Sequence, residues 1–311
     1  MRAFEARRGR KMTNTEETLQ PNTEALALRR KKKAKRVTYV TLIHLALIVT
    51  SLLFVFPLIW MVSVSLQSEE EMRLANGFWD MLVPNEWLWS NYPEVFKAIP
   101  FMRYFKNSAI VTSLTVLGTV VSASLVSYAF SKLRWPGRNV VYTVMLATMI
   151  LPGFILMIPT YKMYSKMGFV DTWVPLILPA FLGGGAGNII LIQQFFMSIP
   201  KEMSEAAMID GARHTTIWLK IMLPLCAPVL ATVAIFSFLF SWNDYLQPLI
   251  YVNSSSKQTI AQGLRAFQSQ TSTRWGLLMA GSLISMIPNL LLFVFCQRFF
   301  LEGVKAGSVK G

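Results

Sequence analysis

Residues that could carry chemistry are few and scattered in this chain. The densest group of carboxylates is the run Glu69-Glu70-Glu71, and neither a second acidic cluster nor a histidine accompanies it. The two cysteines, Cys226 and Cys296, fall in apolar segments without ligand partners at metal spacing. We therefore predict no catalytic, metal or cofactor site, and we expect the acidic run to be a solvated face.

A glycine run and two histidines also suggest chemistry, but neither feature has the accompanying residues that such chemistry needs. The run Gly183-Gly184-Gly185-Ala186-Gly187 is rich in glycine, but neither it nor any other segment has the GxxxxGK[ST] pattern that cradles phosphate. Close helix packing or a local bend is the role that this composition favours. His44 lies alone in an apolar stretch, which predicts a hydrogen bond to a neighbour, and His214 lies in a polar loop, where solvation or a contact is expected.

The most ordered pattern lies in the polar stretch 198–224. Pro200 suits the start of a helix, because its missing N–H costs little in the first turn. Glu205 follows early in that helix, where the helix dipole favours a carboxylate. Gly211 can end the helix in a left-handed conformation, and a second short helix then leads to Pro224. The stretch predicts a helix–turn–helix, a shape suited to docking in a partner's groove.

The rest of the chain has the composition of a membrane protein. Of 311 residues, 53% are hydrophobic and only 15% are charged, whereas soluble domains carry about 25% charged residues. Six segments reach the length of about 20 residues that a spanning helix needs. These segments are 38–65, 107–130, 139–163, 173–196, 225–250 and 275–300. The predicted fold is all-α with six transmembrane helices, the third broken by Pro152 and Pro159 and the fourth by Pro175 and Pro179.

Charge distribution predicts the orientation in the membrane. Twelve of the 30 Lys and Arg residues lie in the first 36 positions, directly before the first apolar segment. Lys and Arg resist translocation and mark the cytoplasmic side, and no folded basic face supports nucleic-acid binding. With the start of the chain inside, 21 of the 30 cations fall on inside segments. Both termini are expected to be cytoplasmic, and the tail can also attract anionic lipid headgroups.

These observations divide the chain into three parts. We expect residues 1–37 to form a basic, disordered cytoplasmic tail, 38–302 the transmembrane domain, and 303–311 a cytoplasmic C-terminal tail. The longest external loop, 66–106, contains tryptophans that suit a membrane-interface anchor or a lid over the spans.

The loop pattern resembles a known motif. Glu205-Ala206-Ala207, then Gly211, then nine residues to Ile221 and finally Leu223-Pro224 match the anchors of the EAA motif of ABC importer permeases. Other segments resemble the carbohydrate-uptake branch of that family and its MalG-type sugar permeases. They are Gly168 to Trp173, Gln194 to Phe196, Ser198 to Glu202, Ser241 to Tyr245 and the end from Glu302 to Gly311.

The resemblance implies a multi-pass subunit of the cell membrane that forms half of a translocation pathway for a sugar or oligosaccharide and is not itself an enzyme. Its implied partners are a second, related permease, two ATPase subunits that hold ATP and Mg, and an extracytoplasmic solute-binding protein. Glu205 would engage a basic residue of the ATPase, and Gly211 would allow the turn. The residues implied in this coupling are Glu205, Ala206, Ala207, Asp210, Gly211, Ile221, Leu223 and Pro224.

Several alternatives stay open from the sequence. Asp244, with Asn243, is an ionisable site at a span and so a candidate for a pathway or partner contact, or it lies at the outer interface. The glycine run could line the pathway. The cargo could be a solute other than a sugar. An ATP-independent secondary transporter is the rival class, but Asp244 is the one candidate acid for ion coupling and has no evident partner.

Overall fold

The computed structural model describes residues 23–75, 77–269 and 272–308. Within those ranges the chain is helical and has no strand, apart from an isolated bridge between Gln268 and Thr273. Contacts divide the chain into two units, Met1–Trp60 and Met61–Gly311. The helices run, in order, Thr23–Ser65, Glu69–Leu74, Phe78–Leu82, Asn91–Ala98, Phe101–Lys132, Arg138–Thr148, Gly153–Lys166, Val174–Phe181, Ala186–Ser198, Lys201–Ile209, His214–Ile217, Leu223–Leu225, Ala227–Trp242, Leu246–Tyr251, Ile260–Gly263 and Trp275–Ser308.

The first helix begins earlier than the sequence analysis predicts. Residues 1–22 of the predicted tail lie outside the described residues, but 23–37 are helical where disorder is expected. Ala and Leu in this stretch are strong helix formers, and adding a residue to an existing helix adds a hydrogen bond without a new nucleus. Within the first unit, His44 Nδ1 lies 2.7 Å from the Val40 carbonyl oxygen of its own helix, as the prediction of a neighbouring hydrogen bond requires.

Four helical segments are long and apolar enough to cross a membrane, and six are if each of two bent helix pairs is one span. The four are Lys31–Ser65, Phe101–Lys132, Val174–Ser198 and Trp275–Gln297. The bent pairs are Arg138–Thr148 with Gly153–Lys166, at 103°, and His214–Leu225 with Ala227–Trp242, at 82°. The described residues therefore hold four to six spans, and the predicted count of six lies at the upper bound.

Proline does not break the helices everywhere that the sequence analysis expects. The third segment breaks before Gly153, with Pro152 at the helix start, but Pro159 lies inside a continuous helix. Pro179 likewise lies inside its helix, and the fourth segment breaks after Phe181 instead. A proline inside a helix removes one backbone hydrogen bond. Consecutive glycines leave several residues free to adopt conformations that are not helical.

The glycine run makes this second break and a close helix contact together. Gly183, Gly184 and Gly185 all have positive φ, at 118°, 68° and 90°. A Cβ on Gly184 would lie 2.8 Å from the carbonyl oxygen of Thr119. Ser122 also donates a hydrogen bond of 2.6 Å to the Ala180 carbonyl oxygen beside the break. The break thus packs directly on Phe101–Lys132, hereafter the central helix.

Two cores of buried side chains lie at opposite ends of the central helix. The first core, at its start, joins Phe101 and Tyr104 to Trp242 and to residues between 260 and 280. The second core, at its end, joins Tyr128 and Phe130 to the helices 186–198 and 227–242 and to the 217–226 segment. Segment 198–224 and the connection 132–138 therefore share one end, while segments 167–173 and 252–258 share the other.

At the first-core end, Asp171 holds two connecting loops together. Its φ is 60°, an uncommon left-handed conformation for a residue with a side chain. Its carboxylate accepts hydrogen bonds from the backbone N–H groups of Asn253 and Ser254, at 3.0 and 2.8 Å, and from the Ser254 hydroxyl. Lys257 Nζ lies 3.2 Å from the same carboxylate. The Ser254 side-chain and backbone bonds, with that of Lys257, hold the pKa of Asp171 well below its usual range.

Candidate functional site

The loop between the helices Ala186–Ser198 and Ala227–Trp242 begins with a helix at Lys201–Ile209, hereafter the loop helix. Pro200 lies at the N-terminal boundary of this helix, and its φ of −54° is close to the φ of helical residues. The preceding residue, Ile199, has an extended backbone, as a residue before proline prefers. The predicted helix start is therefore confirmed, and its cause is local.

The loop helix ends in a Schellman motif at Gly211. Gly211 has φ 84°, and its N–H donates to the Met208 carbonyl oxygen at 3.0 Å. The N–H of Ala212 donates to the Ala207 carbonyl oxygen at 2.9 Å. These two bonds satisfy carbonyls that the helix end leaves free, with Asp210 as the boundary residue. The left-handed stop predicted at Gly211 is confirmed.

The motif residues divide into an exposed set and a packed set. On the loop helix, Glu205 and Ala206 are exposed, whereas Ala207 packs against the second core. In the following segment, Ile221 and Leu223 pack against the same core, while Pro224 is exposed. Asp210 and Gly211 are exposed at the turn. One part of the motif therefore faces outward and another part connects it to the buried core.

The second half of the loop is irregular. His214–Ile217 passes into a π-helix at Trp218–Met222, where the Leu223 N–H bonds to the Trp218 carbonyl oxygen five residues back. Pro224 has no N–H to donate to the preceding turn, which suits a local change in hydrogen-bond register. The chain then bends by 82° into Ala227–Trp242. The predicted second short helix is thus present, but it contains a π-turn that the sequence analysis missed.

Residues more than 60 positions away anchor this loop. Lys132 Nζ, at the end of the central helix, donates a 2.7 Å hydrogen bond to the Ile199 carbonyl oxygen. The Tyr128 hydroxyl lies 3.1 Å from His214 Nδ1. Sequence reasoning used Lys132 only in the charge count and gave Tyr128 no role. Their position at the end of an apolar segment is the signal that could have indicated them.

The structure does not bring Asn243 and Asp244 to the loop. They follow Trp242, at the other end of the helix Ala227–Trp242. The Asn243 side chain accepts a 3.0 Å hydrogen bond from Asn289 and donates a 2.7 Å bond to the Leu239 carbonyl oxygen. Asp244 accepts a 3.1 Å bond from the Gln247 N–H. Asp244 therefore bonds to the first turn of the short helix Leu246–Tyr251, whereas Asn243 links the end of Ala227–Trp242 to the helix Trp275–Ser308.

This arrangement has the chemistry of a contact surface. Among the residues that the structure describes, no three His, Cys, Asp or Glu side chains are grouped so that they could hold a metal ion. The exposed carboxylate of Glu205 can accept charge-assisted hydrogen bonds from a partner, and the small side chain of Ala206 allows a close approach.

Comparison with known proteins places this geometry in context. Residues 115–301 match the family described as binding-protein-dependent transport system inner membrane component. The arabinooligosaccharides transport system permease protein AraQ of Halalkalibacterium halodurans is 33% identical over 258 residues, covering 83% of this chain and 91% of that protein. The trehalose/maltose transport system permease protein MalG of Thermococcus litoralis is 31% identical over 273 residues, covering 87% and 96%.

A solved structure shares the fold. It is a crystal structure of a bacterial ABC transporter involved in the import of the acidic polysaccharide alginate. The TM-score is 0.73 at 24% sequence identity, over 86% of this chain and 98% of that chain. The matched family range contains the whole loop from Ser198 to Pro224, together with the glycine run and Asp244.

Proposed function

Because the chain belongs to the family of binding-protein-dependent transport system inner membrane components, we propose that it forms half of a sugar translocation pathway. The chain is a permease subunit, a transport component rather than an enzyme. In the proposed complex a second permease completes the pathway and two ATPase subunits bind ATP and Mg. A solute-binding protein delivers the sugar or oligosaccharide.

The exposed face of the loop helix is the observation that carries the coupling part of this proposal. Glu205 and Ala206 face outward, and the Schellman turn at Gly211 holds the helix end in one geometry. A short, rigid helix with one carboxylate and a small neighbour suits insertion into a groove with a basic residue. We propose that this groove lies on the ATPase subunit.

The packed residues of the same loop supply a route for mechanical coupling. Ala207, Ile221 and Leu223 contact the second core, which joins the central helix to the helices 186–198 and 227–242. Close-packed interiors transmit displacement because they have little free volume. A movement of the loop helix would therefore shift the ends of three spans together, as a rigid-body change of access requires.

The orientation of the chain in the membrane is a further part of the proposal. The connection 132–138 and the loop helix lie at one end of the central helix, and we propose that this end is cytoplasmic, with six spans and both termini inside. Reporter fusions at Ser131 and Ser204 should report the cytoplasm, and fusions at Trp87 and Ser255 the exterior. An external report from Ser204 would exclude docking of a cytoplasmic ATPase on this loop.

The proposed sugar cargo can be tested with the solute-binding protein and the reconstituted transport complex. The names of the related permeases, for arabinooligosaccharides and for trehalose and maltose, support a carbohydrate. The cognate solute-binding protein should bind members of a glycan panel and stimulate ATP hydrolysis by the reconstituted complex. If the solute-binding protein binds only solutes other than glycans, the permease role would stand but the proposed sugar cargo would be refuted. The chain purified alone should not hydrolyse ATP, because it lacks the GxxxxGK[ST] loop of P-loop ATPases.

A further inference from the structure

A polar cleft of about 310 Å³ lies between the end of the central helix, the connection 132–138 and the loop helix. Side chains from segments far apart in sequence line it together. They are Tyr128, Ser131, Lys132, Leu133, Arg134, Arg138, Lys201, Ser204, Glu205, Met208 and His214. The size suits a small charged group, and the coupling role proposed above uses only Glu205 of this set.

The cleft is strongly basic. Lys132, Arg134, Arg138 and Lys201 contribute four positive charges, and among the described residues that line the cleft Glu205 is the one carboxylate. The ion pairs found in the described part of the chain are Lys97–Glu94, Lys257–Asp171 and Arg274–Glu69, none of them in the cleft. Lys132 donates to the Ile199 carbonyl oxygen at 2.7 Å, but a carbonyl does not neutralise its charge. The cleft therefore carries excess positive charge.

A buried hydroxyl in the cleft points independently to a ligand. Ser204 is only 8% exposed, and within the described residues its Oγ has no hydrogen-bond partner. A buried polar group without a partner is unfavourable and calls for an explanation. Because Ser204 lines the basic cleft, an anion bound there could accept a hydrogen bond from its hydroxyl and so supply the missing partner.

We propose that this cleft binds a phosphate group, most favourably the headgroup of an anionic phospholipid. Arginine guanidinium groups match phosphate oxygens in a bidentate fork, and Arg134 and Arg138 supply two of them. Beyond Arg138 the same helix exposes Val140, Val141 and Val144, an apolar surface on which acyl chains can lie. Basic pockets beside transmembrane helices suit such headgroups. A free phosphate in solution offers the same headgroup chemistry without the chains.

A phosphate held here would connect two parts of the loop region. Lys201 and Ser204 belong to the loop helix, whereas Lys132, Arg134 and Arg138 belong to the end of the central helix and its connection. A ligand that bridges both sets would add a link between them, beside the existing bond from Lys132 to Ile199. This inference does not depend on the transport role, because the binding site lies within one chain.

The test compares lipid and phosphate binding by the purified full chain. Native mass spectrometry would count lipids retained from vesicles of phosphatidylglycerol and from vesicles of phosphatidylcholine, and thermal unfolding would be followed with inorganic phosphate. We expect preferential retention of phosphatidylglycerol. The double variant Arg134→Gln/Arg138→Gln should weaken that binding by roughly tenfold or more, since each lost charge-assisted bond costs about one such factor. Higher salt should weaken it as well.

The controls separate a built site from general attraction. Arg103→Gln/Arg265→Gln removes the same charge at the first-core end and should retain phosphatidylglycerol as the unsubstituted chain does. Ser204→Ala keeps every charge and should still reduce binding, which also provides a test if the double arginine variant fails to fold. Stabilisation by inorganic phosphate without lipid preference would assign the site to a soluble phosphate. Equal retention of both lipids with no phosphate effect, or equal losses in both double variants, would overturn the proposal.

Discussion

Replacement of Gly211 tests whether the shape of the loop matters for coupling. With φ at 84° and no atom within 4 Å of an added Cβ, a substitution meets no collision there. Its cost is therefore conformational, about 1–2 kcal/mol for a residue with a Cβ in the left-handed region. That cost corresponds to roughly a 5–30-fold shift toward an open helix end. Gly211→Val should show it most clearly, because β-branched residues tolerate positive φ poorly.

The effect can be measured at the two hydrogen bonds that close the turn. Hydrogen exchange at the amides of Gly211 or its substitute and of Ala212 should accelerate by roughly the same 5–30-fold factor in Gly211→Val. Uptake by vesicles that contain all partner subunits should fall, and ATP hydrolysis should lose its dependence on substrate, while expression and insertion stay near normal.

Gly211→Asn is the matched control, because asparagine tolerates the left-handed conformation much better. It adds a side chain at the same place and should retain more of both exchange protection and uptake. Equal losses in the Asn and Val variants would show that bulk, and not backbone conformation, decides the outcome. Full complex assembly and uptake at the unsubstituted rate with Gly211→Val would show that this loop is only a linker.

Other substitutions test the remaining parts of the structure. Glu205→Ala should weaken ATPase docking by the roughly 1.5–3 kcal/mol of a charge-assisted hydrogen bond, measured by co-purification, whereas Glu70→Ala, at an exposed position remote from the loop, should not. Gly184→Ala should lower thermal stability more than an alanine at Gly211 does, because it adds the 2.8 Å collision with Thr119 to a positive φ; equal melting temperatures would contradict that packing. For Asp171 the pKa is lowered on folding, so its contribution to stability is fully present above the ordinary aspartate pKa of about 4 and is lost progressively as pH falls from there through the lowered value. Proteolysis of the segment 252–258 should stay slow near pH 4, and Asp171→Asn should make it faster and independent of pH in this range; an unchanged rate would refute the role of the carboxylate.

Much of the fold could be predicted because its signals are local. Long apolar runs indicate the spanning helices, Pro200 marks the start of the loop helix, and Gly211 marks its end. Each of these depends on the chemistry of one or two residues and on backbone hydrogen bonds within a turn. Predictions from the same sequence were less accurate where a single proline was expected to end a helix, as at Pro159 and Pro179.

The site was predicted in part. The motif residues could be named from their spacing, but not divided into the exposed pair Glu205 and Ala206 and the packed Ala207. The basic cleft could not be predicted either, nor could the burial of the Ser204 hydroxyl without a hydrogen-bond partner among the described residues. The cleft joins the loop helix to the end of the central helix, more than 60 positions earlier, and the periodicity within one segment does not predict which distant segment it will contact.

By itself the sequence determined the helical class, the segments apolar enough to span, the motif of the 198–224 loop and the stop at Gly211. Only the tertiary structure decided which helix faces pack, the bends of 103° and 82°, and the meeting of Asp171 with the segment 253–257. The physical reason is that lipid and protein interior are both apolar, so a spanning helix carries little amphipathic pattern to show which face is buried. Glycine and proline act on the backbone of their own turn, so their effects on helix starts and ends can be predicted without the rest of the structure.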